Sequence, residues 1–593
     1  MRRTQLSTPG TAARVMSYVA LVGIVAVVMA PWFQDVSTYG FHDWDVETSF
    51  RYLTIESLLR YREFPGWNPY ACGGYPLWGY VEGATNLVSP WLPAYLALPL
   101  PLAIRIEAAG MALVGAAGAY AFAGCFTKSA GARLLAAALW AVNGRWGLQT
   151  ASGHTWHLAY AYMPWCLFFF ERARAKRSFR DLAGMAISLA MLVYAGGIYP
   201  LPHTVLVLAV YAGLCALQDG SPRPLVVLAF GGLLGAGLAA PKLIPLLRQF
   251  TSDPRLIAST ETLELGAFVT LLTHPEQHFH TRPAPVRPYG WHEWGMYIGV
   301  AGALLLALAV VFVRGRRERA LKATGLLLVA LGFGAFHPWA PWTLLHRLPV
   351  FRSQHVPSRF LYPAVLLLAV VLAAGVGRFV TRRRYRAPWL DAIVVAAAAW
   401  LGFDIASVAQ QPMRQAMWMV PPAIPENDSF HHAAQPPFHY VKRDWAGPML
   451  LSMMANTGVL DCYGIPRPPG WRPRAVPAAD PRYRGEAHVL GAGSARIVEW
   501  SPNRARILVD ADADGTLIYN MQYRPGWRAE LDPGGGSAGE DHHGLVAARV
   551  PRGTRAVTFA YRPPGLVLGL VLGFFTLVVT VAGWRLERRG DND

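Results

Sequence analysis

Phe41-His42-Asp43-Trp44-Asp45 gathers two carboxylates and an imidazole beside aromatic residues, just after a long apolar run. Such carboxylates can bind a divalent cation or serve as the general base toward an acceptor hydroxyl. A D-x-D taken alone is also the composition of any solvated acidic loop. A second group, His274, Glu276, His278 and His280, with His292 and Glu293 further on, offers good divalent-metal donors. Alternation would put the first four on one side of an extended segment, although a polar loop lining a wet cavity reads the same way. His154 and His157 stand one helical turn apart at the start of an apolar run, where they could bond a phosphate or an acceptor or simply sit at an interface. Lys242 lies near the end of another apolar run, where an unpaired ammonium costs on the order of 2.5 kcal/mol or more. With Arg248, Arg352, His355 and Arg359 it could neutralise a phosphate, which guanidinium grips bidentately; for Arg248, snorkelling to lipid headgroups is the structural alternative.

The elements that must position these groups are membrane spans. The chain has 593 residues, 53% hydrophobic and only 15% charged, against about a quarter charged in soluble proteins. Apolar runs of about 20 residues recur, long enough to cross a bilayer. They fall near 16–33, 103–125, 131–150, 156–170, 181–199, 203–218, 224–247, 296–313, 321–337, 360–379, 388–408 and 565–584, about twelve in all. The first follows Arg2, Arg3 and Arg14, lacks a small-residue cleavage site and ends on Pro31-Trp32-Phe33, an interfacial anchor, so it is expected to be retained.

Three basic clusters test that count: Arg172, Arg174, Lys176, Arg177 and Arg180; Arg314, Arg316, Arg317, Arg319 and Lys322; Arg378, Arg382, Arg383, Arg384 and Arg386. With twelve spans they share one side with both termini. Lys and Arg mark the cytoplasmic face, so much of the net charge of +18 is a topology signal and nucleic-acid binding is a poor explanation of it. The segments 34–102, 248–295 and 409–564 then face outward. Prolines 90, 93, 99 and 101 make 87–102 an interfacial or re-entrant piece, and 47–62 suits a helix lying along the interface. Residues 409–480 are Pro-rich and irregular, whereas from about 496 short runs alternate with period two between turn signals such as Asp514-Gly515 and Pro525-Gly526. That pattern predicts a small antiparallel β-sandwich. Cys72 and Cys462 both fall on the oxidising side and could pair, while Cys125, Cys166 and Cys215 sit in or beside spans as small hydrophobes. No phosphate-binding loop, dinucleotide fingerprint or Ser-His-Asp pattern of any specificity is present.

Further pieces follow in order: Phe64-Pro65-Gly66-Trp67-Asn68-Pro69-Tyr70, Gly73-Gly74-Tyr75-Pro76-Leu77, Ser152-Gly153-His154, Ala240-Pro241-Lys242-Leu243-Ile244-Pro245-Leu246, Tyr297-Ile298-Gly299, Pro357-Ser358-Arg359-Phe360-Leu361, Tyr523-Arg524-Pro525-Gly526-Trp527 and Ala560-Tyr561-Arg562-Pro563-Pro564. Together with the D-x-D they resemble the YfhO family of bacterial membrane proteins, within the GT-C class of polyprenyl-phosphate-sugar-dependent glycosyltransferases. The resemblance implies an all-α polytopic domain over 1–408, an extracytoplasmic domain over 409–564 that is β-rich from about 496, and a last span with a cytoplasmic tail over 565–593. It implies an acidic residue after the first span acting as base or metal ligand, matched best by Asp45 with Asp43 the alternative, and possible use of Mg2+ or Mn2+. Arg359, inside a family-like stretch, is the preferred phosphate ligand, with Lys242, His355 and Arg248 as others. One departure is Ser49-Phe50, where members often carry a polar amide residue, which bears on the acceptor side. The expected reaction moves a sugar from a polyprenyl-phosphate donor to an envelope glycan, lipid or protein on the outer face of the bacterial plasma membrane. Its rivals are a transporter or flippase of lipid-linked saccharides and a non-catalytic envelope scaffold.

Overall fold

The computed structural model describes residues 9–176, 178–279, 288–381, 388–425, 427–441, 447–464 and 471–590. Arg2, Arg3, Arg177, His280, Arg382, Arg383, Arg384 and Arg386, named above for charge or ligand atoms, lie outside the described residues. Among the described residues, eight helices are long and apolar enough to cross a membrane: Thr11–Phe33, Leu100–Ala123, Pro200–Asp219, Arg223–Ser252, Trp291–Phe312, Pro357–Thr381, Trp389–Met413 and Leu566–Glu587. The chain is a polytopic membrane protein.

The other four expected spans are helical but shorter or interrupted. The 131–150 run is split into Ala130–Trp140 and Gly144–Ala151, because the Asn143 side chain turns to accept from the amides of Arg145 and Trp146 and so starts a new helix. Eleven helical residues rise only about 17 Å, short of the roughly 30 Å hydrocarbon core. The 156–170 run opens as the 3-10 turn Thr155–Tyr162 before the helix Met163–Lys176. Phe179–Tyr194 has 16 residues, and Arg316–Gly332 has 17 with its first turns charged.

The helix Trp44–Leu59, expected to lie along the interface, is packed against the rest of the chain over most of its length. Its Arg51 is buried, held by Glu47 at 3.0 Å and Glu107 at 2.9 Å; paired charges can enter the interior where lone ones cannot. Leu92–Ala97 forms a six-residue helix within the Pro-rich 87–102 piece.

At the other end of the chain, the expected strands are present as Arg504–Asp510, Gly515–Gln522, Leu545–Val550 and Ala556–Tyr561. They belong to one four-stranded and one five-stranded antiparallel sheet. Inward residues of both sheets, Leu517, Tyr519 and Val546 with Ile507, Val557 and Phe559, share one core. That core also takes in Phe50, Leu53, Trp67 and Tyr75, so the 34–99 loop and the β-rich domain are packed as a unit. Asn503 accepts from the Trp67 amide at 2.7 Å and Ser501 donates to Glu63 at 2.8 Å.

The 409–464 segment, expected to be irregular, stitches this unit together. Met417–Met419 pairs with Tyr39–Gly40, His431–Ala433 runs parallel to Thr457–Val459, and the short helix Met449–Met454 packs on Trp44–Leu59. Cys72 and Cys462 form a disulfide across 390 residues.

Candidate functional site

The pairing of Tyr39–Gly40 with Met417–Met419 carries the chain from the first helix into His42, whose φ of 57° is unusual for a residue with a Cβ. The 42–44 backbone then lies against the end of the helix Gly144–Ala151. The Asp43 amide donates to Ser152 O at 3.2 Å, and the Trp44 indole donates to Thr150 O at 2.8 Å. This approach requires Gly153: its φ is +86°, and a Cβ there would stand 2.2 Å from the Trp44 nitrogen.

These contacts bring Asp43 and His154 together. Asp43 Oδ2 lies 3.1 Å from His154 Nε2, and Oδ1 lies 3.2 Å from His42 Nδ1 and accepts the phenol hydroxyl of Tyr463. The carboxylate keeps 25% exposure. Burial alone would raise its pKa, but the hydrogen bonds and charges of His154 and His42 outweigh that and hold it well below the ordinary 3.8. Asp43 is therefore an ionised carboxylate in reach of solvent.

His154 is fixed from behind. Its Nδ1 lies 2.9 Å from Gln149 Oε1, while the Gln149 amide nitrogen donates to the His292 carbonyl. Because that nitrogen faces a carbonyl, Oε1 is the atom that faces His154, and Nδ1 donates to it. Glu293 stands 4.0 Å from His154 Nε2 and is itself gripped by Arg359, with Nη2 at 2.5 and 2.6 Å from its two oxygens.

Asp45 has a different place. It is 1% exposed, and its oxygens accept from the Tyr440 hydroxyl at 2.5 Å and the Met449 amide at 2.7 Å. Desolvation dominates there and pushes it up to about 7 against the lowering by those hydrogen bonds.

The expected phosphate ligands are spread out. Arg359 is 4% exposed, with Nε and Nη2 on Glu293 and the guanidinium stacked over Tyr199 at 4.1 Å, while its buried Nη1 has no hydrogen-bond partner among the described residues. Lys242 is buried and donates to the carbonyls of Tyr80 at 2.8 Å and Gly83 at 2.5 Å, tying its helix to the 34–99 loop. His355 meets the Tyr289 hydroxyl at 3.1 Å, and Arg248 is exposed at its helix end. His157 is buried with its ring against Tyr160 and Tyr362, away from Asp43.

Of the second histidine group, His274, Glu276 and His278 do not gather, whereas the His292 ring packs against those of His42 and His154 at 5.5 and 6.0 Å. His274 ends the helix Leu265–Thr273 and Glu276 points outward. The next residue, Gln277, turns in to donate to the carbonyls of Leu271 and His274 and to accept from the Met296 amide, which breaks the alternation before His278. Among the described residues, the one trio of donor atoms within 4.8 Å of one another is His42, Asp43 and His154. Two imidazoles and one carboxylate suit Mn2+ or another nitrogen-tolerant ion better than Mg2+, which prefers oxygen.

Beside the trio lies an apolar cavity of about 210 Å³, lined by Ile198, Leu201, Leu243, Leu246, Phe250 and Val350. Arg255 and Arg524 stand at its polar edge, the latter paired with Asp253 at 3.2 Å. The hydroxyl of Tyr80, also in the wall, lies 2.8 Å from Glu82 Oε2. The same hydroxyl donates to Gly464 O at 2.9 Å, one residue from the Tyr463 that meets Asp43, so the cavity wall and the trio adjoin through this segment; burial pushes Glu82 up. Sequence reasoning missed Gln149, Tyr463, Glu82 and Arg255; none sits in a recognisable motif, and Tyr463 is 420 residues from the carboxylate it meets.

No protein-family model matches the chain, and no curated protein matches it by sequence. Among solved structures, the arabinofuranosyltransferase AftD from Mycobacteria is similar at 16% identity and a TM-score of 0.45, over 76% of this chain and 32% of that one. A mutant form of the same enzyme gives 17% and 0.42 over 76% and 33%. The chain thus spans about a third of the length of these proteins.

Proposed function

We propose that this protein is an integral membrane glycosyltransferase of GT-C type that uses Asp43 as its base. The donor is a sugar on a polyprenyl phosphate, and the acceptor is a hydroxyl of an envelope glycan, lipid or protein on the extracytoplasmic face of a bacterial plasma membrane, with both termini inside. The observation that carries this reading is the ionised, part-exposed Asp43, clamped by His42 and His154 beside an apolar cavity with a cationic edge. An isoprenoid fits the apolar wall. Of the two cations in the cavity wall among the described residues, Arg255 is the one left to meet its phosphate, since Arg524 is paired with Asp253. Asp43 takes the acceptor proton as the acceptor oxygen bonds to the anomeric carbon, and the polyprenyl phosphate leaves with the electrons of the broken C–O bond. Gln149 keeps His154 Nε2 directed at Asp43, and His42, Asp43 and His154 are the residues that would hold a divalent cation. Such an ion would neutralise phosphate charge. Asp45 serves as an anchor for the Met449–Met454 turn in this reading, rather than as the base.

Sugar transfer from a polyprenyl-phosphate donor by the purified protein tests the proposal. Asp43→Asn is expected to fold normally and to lose about 10²–10⁴-fold in turnover, the range of general acid–base catalysis. Full turnover in that variant would overturn the role of Asp43. Movement of intact donor across the bilayer with no bond cleavage would favour the flippase instead.

A further inference from the structure

Asp43 Oδ2 is turned inward, toward the nearly buried His154 and Glu293. Oδ1 has two lone pairs; one faces His42 Nδ1 and the other accepts the hydroxyl of Tyr463. An acceptor arriving from solvent must place its hydroxyl where that phenol now sits. Tyr463 is 41% exposed, so its ring can leave without opening a packed core. Its backbone cannot drift: Cys462 is bonded to Cys72, the Tyr463 amide donates to Asp461 Oδ1 at 3.0 Å, and Tyr80 donates to Gly464 O at 2.9 Å. A fixed backbone with a free, hydroxyl-tipped side chain is a tether for a part that comes and goes.

From this we infer that Tyr463 is a place-holder for the acceptor hydroxyl, closing Asp43 to water until an acceptor displaces it. The inference rests on the reading of Asp43 as the base. What it prevents is hydrolysis. Without the phenol, a water would donate one proton to Asp43 while its oxygen bonded to the anomeric carbon. The polyprenyl phosphate would leave with the electrons of the C–O bond, giving free sugar. Tyr463 is thus a positioning residue that sets the choice between transfer and hydrolysis.

Tyr463→Phe removes only the hydroxyl and tests this in the full-length protein with a polyprenyl-phosphate sugar. Free sugar released in the absence of acceptor is expected to rise about tenfold, the order of one hydrogen bond to a charged group. The acceptor KM should fall several-fold, with transfer at saturating acceptor kept within about twofold. Adding Asp43→Asn should return the hydrolysis to background. Unchanged hydrolysis, or a tenfold fall in saturated transfer, overturns the inference. A wild-type protein that cleaves no donor sinks the reading of Asp43 instead, so the two failures are distinct. Melting temperature and absence of free thiol at Cys462 verify that the variant is folded and cross-linked.

Discussion

Asp43 and Asp45 are two residues apart and differ in what reaches them. Side chains that favour the anion surround Asp43, while Asp45 sits in an interior where desolvation outweighs Tyr440 and the Met449 amide. The pair was legible as chemistry in the sequence; the choice between its members was not, because Tyr440, Met449 and Tyr463 arrive from about 400 residues away. Asp45 makes a prediction with a definite sign. Its folded-state pKa of about 7 stands above the ordinary 3.8, so the folded chain holds a proton that the unfolded chain has lost. Its contribution to stability is full below about pH 4 and is lost as pH rises toward about 7, with no further change above. Asp45→Asn cannot ionise and keeps the shape. The melting temperature of the variant in detergent should therefore fall less between pH 4.5 and 7 than that of the wild type. Identical slopes would show that Asp45 does not titrate in that window.

At the scale of elements, apolar length located every helical segment expected to span, yet four of them are cut short. Asn143 starts a new helix inside one run, and its reason lies in a side-chain cap that hydropathy does not register. That break is what aims Gln149 and His154 at the 42–44 backbone. His274, Glu276 and His278 failed to gather for a related reason: alternation was counted, but Gln277 inserted its own polar requirements. Gly153 concentrates the element-scale geometry in one residue. Ala in its place meets both a left-handed φ of +86° and the Trp44 nitrogen at 2.2 Å, and a non-glycine residue in such a region costs about 1–3 kcal/mol before any clash. Gly153→Ala should lower the melting temperature and cut sugar transfer at least about tenfold, by moving His154 off Asp43. Gly232, where an added methyl would meet nothing within 4 Å, is the control, and Gly232→Ala should leave both unchanged. Wild-type turnover in Gly153→Ala would mean that the close approach is unnecessary.

Across the whole molecule, the sequence divided outer loop from β-rich domain, and the structure joins them. Strand alternation was visible because it is local; the shared core was not, because Trp67 and Tyr75 find Trp527 and Tyr519 only after the chain has crossed the bundle and returned. The Cys72–Cys462 bond fastens that closure and stands next to Tyr463, so its removal should be felt in two ways. A cross-link stabilises chiefly by restricting the unfolded chain, with about 2–4 kcal/mol typical. Helices already held in a bilayer restrict that chain too, which keeps the effect within this range despite a separation of 390 residues. Cys72→Ala with Cys462→Ala should accordingly lower the melting temperature. It should also raise acceptor-independent release of free sugar, because the tether of the Tyr463 place-holder is loosened. The rise should be smaller than in Tyr463→Phe, since Asp461 and Tyr80 still hold the neighbouring backbone. Adding Tyr463→Phe to the cysteine-free variant should then increase hydrolysis only to the level of Tyr463→Phe alone. A further increase beyond that level would mean that the disulfide acts on Asp43 by a route other than Tyr463, through Cys72 and the 34–99 loop.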